Sequence, residues 1–75
     1  QIYLQLSALA NKNAAYHLSS QLKPHFKRVL VTKDVRHAKT IYKVQIGPFT
    51  TTKEARYLAK QISHKGFKEP VLIHA

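Results

Sequence analysis

Apolar and polar residues alternate at the start of the chain, with Ile2, Leu4 and Leu6 on one side and Tyr3, Gln5 and Ser7 on the other. Successive side chains of a strand point to opposite faces, so this pattern predicts a half-buried strand. The alternation returns further along, with Tyr42, Val44 and Ile46 apolar and Ile41, Lys43, Gln45 and Gly47 opposite them. After each strand the period lengthens. Ala15, Leu18 and Leu22, then Ala55, Leu58 and Ile62, recur at i, i+3 and i+7, which is one stripe of a helix. Asn11 is a good cap for the first helix, and Thr51 with Glu54 three residues on forms a capping-box pattern for the second. Pro24 stops the first helix, and Gly66 stands where a left-handed residue would close the second. A β-type run follows each helix, at residues 29–32 and 71–73. Residues 33–40 are polar and predict a hairpin connection that contains no glycine to fix its turn type.

A shift of forty positions brings the two halves into register. Tyr3, Leu4, Gln5 and Leu6 lie over Lys43, Val44, Gln45 and Ile46; Ala15, Leu18, Gln21 and Leu22 fall on Ala55, Leu58, Gln61 and Ile62, and Val31 on Val71. The resulting order is β-α-β-β-α-β. Two such halves predict an α+β fold of the RNP/ferredoxin-like kind, a four-stranded antiparallel sheet with two helices packed on one face. The first and third strands are expected at its centre. Helices covering Leu4, Leu6, Val44 and Ile46 leave the opposite face open. Tyr3, Gln5, Ser7, Ile41, Lys43 and Gln45 would form an exposed platform there.

Composition narrows the function. Seventy-five residues support one domain, expected here to be cut from a longer protein, and leave little material for an enclosed active site. Thirteen Lys and Arg against three acids give a formal charge of +10, spread from Lys12 to Lys68 rather than gathered in a tail. A folded domain with such a field favours a polyanion: nucleic acid, anionic lipid headgroups or an acidic polysaccharide. The absence of cysteine excludes disulfides and thiolate metal sites. The five histidines show no metal-site spacing, so neither metal nor cofactor is expected. No apolar stretch approaches the ~20 residues of a membrane span, so no membrane insertion by this domain is expected. Glycan hydrolysis ordinarily needs two carboxylates. Asp34 in the hairpin, Glu54 in a helix cap and Glu69 beside Pro70 make no pair, and a non-catalytic monomer is expected.

The residues Ile2-Tyr3-Leu4-Gln5-Leu6-Ser7-Ala8, the Asn11 cap and the run Tyr42-Lys43-Val44-Gln45-Ile46-Gly47-Pro48-Phe49 resemble the SPOR family. The likeness spans residues 2–73, and its most specific element is Gly47-Pro48-Phe49 followed by Thr51, Glu54 and Ala55. The close of the chain looks most like the C-terminal module of a septal lytic transglycosylase. The resemblance implies the fold above and binding to denuded peptidoglycan, glycan whose stem peptides amidases have removed. It also implies work in the periplasm or bacterial cell envelope, targeting a parent protein to the division septum. In the family the strand-one glutamine, here Gln5, recurs on the sheet face, and the positions after it, here Ser7, Ala8 and on to Asn11, line the site. Ile41 matches a position where some members place a large aromatic. Ser7 stands where the family usually has Gly, and Leu9 where it usually has Phe. The expected glycan-binding residues are therefore Tyr3, Gln5, Ser7, Ala8, Asn11, Ile41, Lys43 and Gln45.

A denuded strand exposes a lactyl carboxylate on each N-acetylmuramic acid, together with hydroxyls and acetamides. Gln5 and Gln45 offer both a carbonyl and an amide to such groups. Tyr3 can lay its ring on a sugar face. Lys43 is the best-placed cation for a carboxylate, with Lys33, Arg36 and Lys39 as outer attraction. The runner-up reading is an RRM-like domain for single-stranded RNA, which shares the topology and suits the charge. Its third strand would carry outward aromatics, where this chain has Ile41, Lys43 and Gln45, and Lys65-Gly66-Phe67 mimics part of its motif on the wrong element. A protein-interaction module is the third class.

Overall fold

The computed structural model describes all of residues 1–75. The elements are β1 (Ile2–Leu9), α1 (Lys12–Leu22), β2 (Val29–Arg36), β3 (Lys39–Phe49), α2 (Thr52–His64) and β4 (Val71–His74). They form one four-stranded sheet in the order β2-β3-β1-β4, antiparallel throughout, with β1 and β3 central. That is the β-α-β-β-α-β arrangement the two periodicities predict.

Packing follows the alternation. Leu4, Val44 and Ile46 are wholly buried against Leu22 of α1 and Ile62 of α2, with Ile2, Leu6 and Phe49 nearly so. The helical stripes are wider than the sequence pattern indicates. Ser19 of α1 and Ala59 of α2, one turn from Ala15 and Ala55, are also buried. Leu18 and Leu58 pack at the margin of the core.

Local signals end the helices as expected. Asn11 Oδ1 accepts from the Ala14 N–H at 3.1 Å, which satisfies one of the unpaired donors of α1. Thr51 Oγ1 accepts from the Glu54 N–H at 3.2 Å. The Glu54 carboxylate takes the hydroxyls of Thr50 and Thr51, at 3.1 and 3.4 Å, so the capping box closes through side chains. Helix α1 ends at Leu22, just before Pro24. Past α2, Gly66 sits at φ +91°. Its N–H reaches the Ser63 carbonyl at 3.0 Å and the Phe67 N–H reaches Ile62 at 3.3 Å, the paired bonds of a Schellman motif.

The connection expected over 33–40 is shorter than the sequence suggests. β2 continues to Arg36 and β3 begins at Lys39, leaving His37 and Ala38 as a two-residue turn. Both have positive φ, 50° and 64°, the geometry that matches strand twist in a tight hairpin even without glycine. Polar residues there are strand residues that face solvent, which is why polarity alone reads as a loop. The central pair also departs from regular register. Leu6 and Ser7 together oppose Val44, and Gly47 and Pro48 together oppose Tyr3. Each departure is a bulge that re-aims the side chains beyond it.

Arg28, which no sequence pattern marks, fastens the second of these bulges. Its Nη1 donates to the Pro48 carbonyl at 2.8 Å and its guanidinium lies 5.4 Å from the centre of the Phe49 ring. The Arg28 carbonyl accepts the Gly47 N–H at 3.3 Å.

Candidate functional site

With both helices on one side, the sheet's other side is open, and pairing fixes its layout. Gln5 and Gln45 are direct partners on the central strands. Gln45 Nε2 donates to Gln5 Oε1 at 3.3 Å, across a part-buried contact. The Gln5 amide N–H₂ and the Gln45 amide oxygen take no part in that bond. The side chains hold each other in place, so less freedom is lost when a ligand takes the remaining groups. Val71 on β4 is partner to Gln5, and Leu30 on β2 is partner to Gln45. The amides therefore lie between two apolar shoulders.

The two ends of this row differ. Toward the start of β1, Tyr3 is partner to Ile73. Gly47 passes so close that an added Cβ would lie 3.0 Å from the Tyr3 ring, so the ring rests against backbone. Toward the other end, Lys43 is partner to both Thr32 and Ala8, and Ile41 to Asp34. Asp34 Oδ2 takes Lys43 Nζ at 3.3 Å and Arg36 Nε at 3.2 Å. Lys43 is on the open face as expected, but it is an engaged cation rather than a free one.

Of the eight expected site residues, Tyr3, Gln5, Ala8, Ile41, Lys43 and Gln45 share the open face. Ser7 does not. The bulge at Leu6 and Ser7 sets Ser7 opposite the buried Val44, and its Oγ is enclosed with no hydrogen-bond partner. The alternation from Gln5 skips a step there, so Ala8 takes the outward place that Ser7 would hold in a regular strand. Asn11 is exposed beyond the strand, with its side-chain oxygen committed to the α1 cap. Among the outer cations, Arg36 and Lys39 are partners at the hairpin end, whereas Lys33 is partner to Tyr42, which packs toward the core. Lys33 thus belongs to the helix side.

Sequence reasoning missed Leu30, Thr32, Asp34, Val71 and Ile73 as members of this surface. Carrying the alternation through the whole of β2 and β4 would have found them, once those strands were given their full lengths. The one distinct cleft lies elsewhere, on the outer side of α2, lined by Thr52, Lys53, Arg56, Tyr57 and Lys60. Those residues share the stripe opposite Ala55 and Ile62 and contain no acid to act with the cations. It is a basic helix face exposed to solvent. No helix is long and apolar enough to cross a membrane.

An open antiparallel sheet face carrying paired amides between apolar shoulders, backed by two helices, defines a small binding module. The family comparison agrees: the model of the SPOR domain matches residues 1–73, and the chain belongs to that family. SPOR domains are non-catalytic, peptidoglycan-binding modules of cell-envelope and division proteins. Among solved structures the chain is similar to the RlpA SPOR domain from Pseudomonas aeruginosa, with a TM-score of 0.87 and 26% identity over 100% of both chains. No curated protein sequence matches it.

Proposed function

We propose that the open sheet face binds peptidoglycan glycan strands that lack stem peptides, and so carries its parent protein to the division septum within the periplasm. The observation that carries this reading is the Gln5–Gln45 amide pair at the centre of the uncovered face. Hydroxyls and acetamides of a sugar chain match its remaining donor and acceptor, and Tyr3, Ile73 and Val71 offer apolar surface to sugar rings. Each neutral hydrogen bond contributes only about 0.5–1.5 kcal/mol, so binding is a sum over several sugars. Removal of the stem peptide uncovers both the strand and its carboxylates, which suits a domain whose net charge is +10. The domain acts as a monomer in this reading, since one open face is the whole site.

Sedimentation with sacculi before and after amidase treatment tests the proposal. Retention is expected to rise with treatment. Gln5→Ala is expected to weaken retention about tenfold, by removing one amide and leaving the other unpaired. Equal retention on treated and untreated sacculi would sink the reading.

A further inference from the structure

The chain holds three acidic side chains, and only one lies on the open face. Glu54 caps α2 and Glu69 precedes β4. Asp34 stands opposite Ile41, diagonal to Lys43, and a single oxygen of its carboxylate engages both Lys43 Nζ and Arg36 Nε. The Asp34 and Lys43 side chains are 30% and 31% exposed, whereas Arg36 is 77% exposed. The contact with Lys43 is therefore the better shielded from solvent and salt of the two.

We infer that Asp34 is a specificity-determining residue, an internal counter-anion that occupies Lys43 until an acidic group of the ligand takes its place. The inference rests on the open face being the glycan site. A ligand carboxylate approaching Lys43 meets a like charge a few ångströms away. Either Lys43 leaves Asp34 or two anions share one cation, and both outcomes subtract from binding. A neutral sugar chain competes for nothing and is unaffected. Asp34 thereby restrains a domain of charge +10 from holding any polyanion through Lys43 alone, and it shifts selection onto the Gln5–Gln45 pair. This gives the sole acid of the surface a role in discrimination rather than in catalysis.

The test compares wild type and Asp34→Asn, which keeps the shape and removes the charge. Two probes are used by fluorescence anisotropy: purified peptide-free glycan strands and a neutral N-acetylglucosamine oligomer of similar length. Asp34→Asn is expected to bind the acidic strands about fivefold tighter at low salt, the size of a partly exposed ion pair, and to lose that gain near 1 M salt, where the Debye length is about 3 Å. Affinity for the neutral oligomer is expected to change less than about twofold. Lys43→Gln in the Asp34→Asn background is expected to cancel the gain. Asp34→Ser repeats the measurement should the Asn variant lose its fold. Wild-type binding to acidic strands with no gain in either variant overturns this inference alone. No wild-type binding to those strands removes the glycan reading and this inference together.

Discussion

The first half of the molecule, β1-α1-β2, and the second, β3-α2-β4, are nearly the same object on the inside and different objects on the outside. Leu4 and Val44, Leu6 and Ile46, Ala15 and Ala55, Ser19 and Ala59, and Leu22 and Ile62 are equivalent, and all are buried. Gln5 and Gln45, forty positions apart, meet as partners on the approximate twofold axis between the central strands. Each half also bulges one or two residues beyond its glutamine position, at Leu6 and Ser7 in one and at Gly47 and Pro48 in the other. Tyr3 and Lys43 are equivalent positions too, yet one is an aromatic beside Ile73 and the other an ammonium bound to Asp34. Packing demands the same shape twice, so the cores stay alike. The open face carries no such demand. It is free to become apolar at one end and ionic at the other, which gives the amide row a direction.

Substitutions at matched positions test that division. The largest effect is expected at Gly47, where φ is +148° and an added Cβ would meet the Ile2 carbonyl oxygen and the Tyr3 ring at 3.0 Å. Gly47→Ala is expected to cost about 2 kcal/mol in urea unfolding. An unchanged midpoint would mean that the bulge does not hold Tyr3 in place. Next come the two unlike ends. Tyr3→Ala is expected to reduce retention on amidase-treated sacculi about tenfold with no change in salt dependence, since the lost contact is apolar. Lys43→Gln is expected to cost less than about threefold, because the cation it removes is already partnered, and to flatten the salt dependence, because it lowers the net charge of the face by one. Identical salt profiles for the two variants would erase the distinction between the ends. The smallest effect is expected at Ser7. Ser7→Ala removes an enclosed hydroxyl with no partner, so stability should rise by up to about 1 kcal/mol while retention changes less than about twofold. A tenfold loss there would return Ser7 to the binding surface.

The repeat is legible in the sequence only as far as the helices. Val31 and Val71 match at the shift of forty, but Val31 is partner to Val44 and packs on the core, while Val71 is partner to Gln5 and 61% exposed. The position equivalent to Val71 is Leu30, partner to Gln45. The slip of one residue arises between the helices, which match at a shift of forty, and the strands after them, which match at forty-one. A one-residue slip in a strand exchanges its faces. The error over residues 33–40 has a similar origin. An edge strand with one face in solvent and charges along it resembles a loop in composition, and only the ladder to β3 distinguishes the two.

By itself the sequence determined the order of elements, the central place of β1 and β3, the caps at Asn11, Thr51 and Gly66, and the outward glutamines. The elements, caps and outward glutamines rest on periods or motifs confined to a few neighbouring residues, where local sterics and hydrogen bonding decide, and the central place of β1 and β3 follows from the order of the elements in this topology. Only the tertiary structure decided that Ser7 turns inward, that Leu30, Val71 and Ile73 flank the amides, and that Asp34 holds Lys43. Each of these depends on the register between strands distant along the chain. Register is set by how the whole core closes, and no local pattern contains that sum.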